Sequence, residues 1–138
     1  MTVDRIFLDA NILFSVAYGS PGLGLLWQSV RQKRCMLFAS NFVVEEAKRN
    51  LFHPEQKKSL GKYLSEVRVV PEADSTLPCP IELPEKDRPV LMAAISNKTD
   101  YLLTGDSTHF GKYFGQTVNG VKICRPRDYL SKPLRKKK

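Results

Sequence analysis

The chain has 138 residues and a mass of 15.7 kDa, which fits one domain and leaves little room for a second. Hydrophobic residues make up 42% and charged residues 26%, a soluble globular balance that excludes collagen, coiled coil and wholesale disorder. Lys plus Arg is 22 against 14 Asp plus Glu, a net charge of +8 that suggests a polyanionic partner, most simply nucleic acid.

Val3 to Leu8 is a short apolar run ending at Asp9 and predicts a buried strand. Ala10 to Tyr18 is apolar at helical spacing, and Gly19-Ser20-Pro21-Gly22 breaks it. Leu23 to Arg34 predicts a helix with Leu25, Leu26 and Val30 as its inner stripe and Trp27 beside it. Cys35 to Ala39 predicts a second strand, and Ser40 an N-cap for a helix from Asn41 to about Phe52. A further helix is expected over Glu55 to Leu64, then a third strand over Glu66 to Val70.

Pro71 to Lys86 holds four prolines (Pro71, Pro78, Pro80, Pro84) and no clear period. So long a connection often borders a functional site. Asp87-Arg88-Pro89 opens a helix through Ser96, because proline is tolerated in the first turn. Asp100 to Leu103 predicts a fourth strand with Thr104-Gly105-Asp106 as its exit turn, His109 to Phe114 a short helix, and Val121 to Cys124 a fifth strand. From Arg127 the chain is polar and expected to fray; residues 1–130 form the single domain and 131–138 a basic tail.

Alternating strands and helices imply a three-layer α/β/α fold with a central parallel sheet of about five strands. Sites in such sheets form at the carboxyl ends of strands where the strand order reverses. Asp9 ends the first strand and Asp106 follows the fourth. Asp87, with Leu91 and Ala94 at i+4 and i+7, falls on the buried face of its helix. Glu46 borders the stripe of Val43, Ala47 and Leu51. Each acid has a plainer reading alone: Asp87 as an N-cap, Asp106 as a turn residue, Glu46 as a solvated helix acid beside Glu45. Asp9 is harder to dismiss, because an acid ending a buried strand is costly without a partner. Four converging carboxylates repel one another, and a hard divalent cation relieves that repulsion. Mg²⁺ and Mn²⁺ prefer oxygen ligands and suit phosphoryl chemistry.

Ile6-Phe-Leu-Asp9-Ala-Asn11-Ile-Leu, Ser40 through Glu46 to Leu51, Asp87 to Ala94, and Tyr101 through Thr104 and Asp106 to Phe110 follow one another along the chain. Together they resemble the four motifs of the PIN-domain family, VapC-like metal-dependent ribonucleases that include toxins of prokaryotic toxin–antitoxin pairs. The resemblance implies strand order 3-2-1-4-5. It implies that Asp9, Glu46, Asp87 and Asp106 are catalytic and hold one or two Mg²⁺ or Mn²⁺ ions. It implies an endoribonuclease that cleaves RNA by metal-activated water, leaving a 5′-phosphate and a 3′-hydroxyl. Asn11, Thr104 and, less directly, Ser107 would orient carboxylates or water. His109 stands where many relatives carry an Asp, and is preferred as a loop or substrate contact over a general base.

Lys48, Arg49, Lys86, Arg88 and His109 are candidate RNA contacts, with the Arg135 to Lys138 tail. RNA is the expected partner; an antitoxin protein and a homodimer are further candidates. The apolar residues from Leu23 to Trp27 are read as either a dimer face or core. No stretch approaches the roughly 18 apolar residues of a membrane span, and the acidic N-terminus is unlike a signal peptide, so a cytoplasmic location is expected. Cys35, Cys79 and Cys124 are an odd, widely spaced set, expected to be reduced. A receiver or phosphatase domain also ends its first strand in Asp, but the usual phosphatase pattern has a second Asp where Asn11 stands. The alternative of another class is a PIN-like module that binds RNA or a partner without cutting. Setting the four acids aside leaves 22 positive and 10 negative charges, or +12, on the rest of the molecule.

Overall fold

The computed structural model describes residues 3–131. Ser131 apart, the basic tail expected at 131–138 lies outside the described residues.

Six strands form one sheet: β1 (Asp4–Leu8), β2 (Cys35–Ser40), β3 (Val67–Val70), β4 (Tyr101–Leu103), β5 (Thr117–Val118) and β6 (Val121–Cys124), ordered β3-β2-β1-β4-β6-β5. The first five in that spatial order run parallel, and β5 alone is antiparallel, to β6. A parallel sheet is covered on both faces, so its strands must be apolar throughout. Ile6, Phe7 and Leu8 are all fully buried, as are Leu102, Leu103 and Ile123.

Seven helices cover the sheet in a three-layer α/β/α arrangement: α1 (Ala10–Ala17), α2 (Pro21–Arg31), α3 (Asn41–Arg49), α4 (Pro54–Leu64), α5 (Arg88–Ser96), α6 (Ser107–Phe110) and α7 (Pro126–Ser131). One-turn 3₁₀ segments precede α5 and follow α6. No helix among the described residues is long and apolar enough to cross a membrane.

The predicted order 3-2-1-4-5 is found with one addition, because the short β5 pairs onto the edge of the fifth parallel strand. Asn119 (φ 48°) and Gly120 (φ 89°) both take left-handed backbone, the requirement of a two-residue hairpin turn. A Cβ added at Gly120 meets nothing within 4 Å, so only backbone conformation opposes a side chain there. Gly120→Ala is expected to lower stability by about 1 kcal/mol in a denaturant melt while metal binding stays unchanged. A Gly120→Ala protein as stable as wild type would refute the turn assignment.

α6 covers Ser107–Phe110 and passes into a 3₁₀ turn over Gly111–Tyr113, where a helix from His109 to Phe114 was expected. Two further helices differ from expectation. α2 starts at Pro21, not Leu23: the Ser-Pro pair that breaks the preceding helix places proline at a first-turn position, where it is tolerated. Its inner face is Leu23, Leu26 and Trp27, whereas Leu25 is 54% exposed. Trp27 Nε1 donates to the Tyr63 carbonyl at 3.0 Å, and the two rings meet edge to face at 5.1 Å. Leu23, Leu26 and Trp27 are therefore core rather than a dimer face. The second difference is α7, which replaces a frayed end. Tyr129 is buried, stacks edge-on against Tyr101, and donates its hydroxyl to Asp4 at 2.7 Å.

The proline-rich segment 71–86 has no regular structure until its last residues, yet it is tied down. Asn97 donates to the Pro71 carbonyl, the Phe42 N–H to Glu72, and Tyr113 to the Glu82 carbonyl, while Leu83 is buried. None of the three cysteines is in a disulfide among the described residues.

Candidate functional site

β1 and β4 are neighbours, and the order runs to β2 on one side and to β6 on the other. That reversal opens a crevice at their carboxyl ends. Asp9 leaves β1 into it, and Thr104-Gly105-Asp106 leaves β4 beside it. The backbone closes the seam: Asp9 N–H donates to the Leu103 carbonyl at 3.0 Å.

Asp9 is 5% exposed and caps α1, its Oδ1 accepting from the Ala10 N–H at 2.7 Å. Its Oδ2 accepts from the Thr104 hydroxyl at 2.8 Å and from Asn11 Nδ2 at 3.2 Å. Thr104 is fully buried, and its Oγ1 in turn accepts from the Asp106 N–H at 3.1 Å and from Asn11 Nδ2 at 3.2 Å. Asn11 Oδ1 accepts from the Gly105 N–H at 2.8 Å. Asn11 and Thr104 thus stitch the β1 exit to the β4 exit and fix the Asp9 carboxylate. Ser107 is exposed at the start of α6.

Ser40 caps α3 as expected, its hydroxyl accepting from the Val43 N–H. The cap sets the helix with Val43, Val44 and Ala47 buried and Glu46 half-buried. Glu45 lies in solvent 3.7 Å from Lys48. Of the two adjacent acids, Glu46 is therefore the one directed toward the crevice.

Asp87 ends the 3₁₀ turn Glu85–Asp87 and is 7% exposed. It precedes α5 but makes no capping hydrogen bond, so the plain N-cap reading fails. Asp106 does cap α6: its Oδ1 accepts from the His109 N–H at 3.1 Å. That single turn swings His109 back over the acids. His109 Nδ1 lies 2.8 Å from Asp87 Oδ2 and 2.9 Å from Asp106 Oδ2. Neither approach has hydrogen-bond geometry, and Asp87 Oδ2 and His109 Nδ1 are left buried without a hydrogen-bond partner. Both contacts lie within ion-pair distance, charged only where the imidazole is protonated, and the ring N–H points at neither oxygen.

The electrostatics match a crowded acidic pocket. Burial pushes the Asp9 carboxyl up from 3.8 to about 6; the Thr104 and Ala10 hydrogen bonds pull it back, while the charges of Asp87 and Glu46 raise it further. Asp87 is raised as well, first by burial and then by Asp106 and Glu46, against the opposing effect of His109 and Lys86. For both groups burial is the largest effect, and only Asp87 has cationic side chains acting against it.

The donor set fits a divalent metal. Asp87, Asp106 and His109 each offer a ligand atom, all within 4.8 Å of one another, and two of the atoms have no other partner. Asp9 and Glu46 lie near enough for their charges to act on these groups but outside that tight cluster. Asn11 and Thr104, expected to orient a carboxylate, do meet Asp9, whereas Ser107 makes none of these hydrogen bonds. In the sequence His109 reads as a loop or substrate contact, although the Asp106–His109 spacing of three on a helical turn signals that the two side chains meet.

The predicted RNA contacts are spread more widely. Lys48 and Arg49 are exposed on the last turn of α3. Lys86 is exposed beside Asp87. Arg88 Nε donates to the Leu83 carbonyl at 3.0 Å, which fixes its guanidinium on a groove of about 890 Å³ lined also by Phe42, Leu77, Ile81 and Met92. That groove runs along segment 71–86, which ends at Asp87.

Comparison with known proteins gives the same frame. A search of curated proteins by sequence finds no match. Among solved structures, the chain is similar to one from the crystal structure of VapBC2 from Rickettsia felis bound to a DNA fragment from their promoter. The TM-score is 0.63 at 12% identity, covering 88% of this chain and 98% of that one. At this identity the likeness speaks for the fold. A family model described as the PIN domain matches residues 5–108, from the start of β1 into α6 and so across all four acids. The chain belongs to the PIN-domain family.

Proposed function

We propose that the protein is a divalent-metal-dependent endoribonuclease and the toxin of a toxin–antitoxin pair. The observation that carries the reading is the cluster of buried Asp87 with half-buried Asp106 and His109: two of its ligand atoms, Asp87 Oδ2 and His109 Nδ1, make no hydrogen bond, and Asp9 is held beside it by three hydrogen bonds. Asp9, Glu46, Asp87 and Asp106 would hold Mg²⁺ or Mn²⁺ as one or two ions. A bound cation supplies an activated water and charge neutralisation at the scissile phosphate.

The chain's own residues do the remaining work. Thr104 and Asn11 orient Asp9 Oδ2, and the Ala10 N–H leaves Oδ1 fixed at the helix start, so the carboxylate needs no reorganisation on binding. Lys86 and Arg88 flank Asp87 and would bind the RNA backbone near the cut. Lys48 and Arg49 extend the positive surface along α3. The VapBC2 assembly supports a second protein as partner. RNA cleavage and pairing with an antitoxin both fit a cytoplasmic site of action.

Single-stranded RNA incubated with the full chain and Mn²⁺ is expected to be cut, and a chelator is expected to stop it. RNA that stays intact under conditions where a known nuclease cuts, while still being retained by the protein, would establish the binding module instead.

A further inference from the structure

His109 is out of place in an all-oxygen metal centre. Its Nδ1 is buried among carboxylates yet hydrogen-bonds to none of them, at 2.8 Å from Asp87 Oδ2 and 2.9 Å from Asp106 Oδ2. Two ligands about 2.1 Å from one octahedral ion and at right angles to each other sit about 3.0 Å apart. In a tetrahedral site with bonds of about 2.0 Å the edge would be about 3.3 Å. The two separations match cis edges of an octahedron, with Nδ1 at the shared corner. Because Nδ1 is unpartnered in hydrogen-bond terms, no existing bond has to break for it to ligate.

We infer that His109 is a direct metal ligand through Nδ1, alongside Asp87 and Asp106, and that it biases the centre toward Mn²⁺ over Mg²⁺. The inference rests on the metal-centre reading above and deepens it. The physical reason is donor softness. Carboxylate oxygens serve Mg²⁺ and Mn²⁺ alike, whereas imidazole nitrogen favours transition ions and adds little for Mg²⁺. One nitrogen in a cluster of oxygens therefore separates two cations that the acids alone would treat similarly. Asp106 serves in this arrangement twice over. Its Oδ1 holds the α6 turn through the His109 N–H, and its Oδ2 faces the position His109 faces. The α6 turn is thus the device that delivers the nitrogen.

The test uses the full-length chain freed of metal by a chelator. Mn²⁺ is titrated with paramagnetic resonance as readout, then displaced with Mg²⁺. Wild type is expected to show nitrogen hyperfine modulation on bound Mn²⁺ from the coordinated imidazole. His109→Asp, which restores an oxygen donor, is expected to lack it and to lose about tenfold in Mn²⁺-over-Mg²⁺ preference. His109→Gln serves as a second variant should the added acid unfold the crowded pocket, and circular dichroism checks the fold of both. Wild-type Mn²⁺ without nitrogen modulation, or a preference unchanged in folded His109→Asp, overturns the inference. A wild type that binds no Mn²⁺ overturns the metal centre with it. Mn²⁺ bound with nitrogen modulation but no RNA cut leaves the inference standing and overturns the ribonuclease reading alone.

Discussion

Asp9→Asn is expected to lower metal-dependent RNA cleavage roughly a thousandfold, because the step depends on a full negative charge at that point and a missing metal contact of several kcal/mol has that effect on rate. The fold should survive. The amide oxygen can still accept from the Ala10 N–H, and the substitution removes a buried charge whose carboxyl has been pushed from 3.8 to about 6. That displacement corresponds to about 3 kcal/mol of opposition to folding at neutral pH. Against this, the new amide NH₂ would face Asn11 Nδ2, a donor meeting a donor, at a cost of about 1 kcal/mol. The metal-free variant should therefore melt within a few degrees of wild type and retain RNA, since the basic residues proposed to hold phosphate are untouched. Gel assays of cleavage and retention with a thermal melt give the three readouts. Cleavage by Asp9→Asn at the wild-type rate would remove Asp9 from the catalytic set.

The second large effect is on stability, and its sign runs against common experience with acid. Asp9 and Asp87 both carry carboxyls raised above their unfolded values, so the folded chain binds protons more tightly than the unfolded one. Their contribution to stability is full below about pH 4; that of Asp9 is lost as pH rises toward about 6, and that of Asp87 as pH rises through its own raised value. Asp74 and Asp128 are shifted the other way, by hydrogen bonds from Thr76 and Arg125, so their contribution holds throughout pH 5 to 7.5 and is lost only on further acidification. In the presence of chelator, the melting temperature is thus expected to rise between pH 7.5 and 5. Mn²⁺ should reverse the pattern by binding the deprotonated carboxylates. At a hundred times its dissociation constant it adds about 2.7 kcal/mol at pH 7.5, roughly 8 °C for a domain of this size. That gain should shrink as protons compete on the way to pH 5. Melts with and without metal across this range check both halves. A metal-free melting temperature that falls on acidification to pH 5, or no response to Mn²⁺ at pH 7.5, would contradict the electrostatic account.

The acids were legible in the sequence because each sits at a place that local rules mark. Asp9 ends an apolar run, Asp106 follows a Thr-Gly turn, and Asp87 opens a proline-started helix. What the sequence could not carry was the sense of contacts made at a distance. The capping role of Asp87 looked reasonable from its position, and only the placement of its side chain removes it. Leu25 and Leu23 are equally apolar, and which one α2 buries depends on where the helix begins. The α7 helix depends on Tyr129 reaching Asp4 across the chain, a tertiary bond with no local trace. Two signals were present and unread. Asn119-Gly120 between short apolar runs marks the β5–β6 hairpin, and the three-residue spacing of Asp106 and His109 marks the shared turn.

The seam between β1 and β4 joins Asp9 to Thr104 across 95 residues of sequence. On a ribosome, a nascent chain that has emerged only through α5 carries three of the four acids but neither the strand that orients Asp9 nor Asp106 itself. Closing so long a loop comes late in folding, because its entropy must be overcome before the contact rewards it. The centre is therefore a property of the finished domain and absent from its growing fragments. On the function proposed above, a chain assembled in this order acquires its cutting centre only when its synthesis is nearly done.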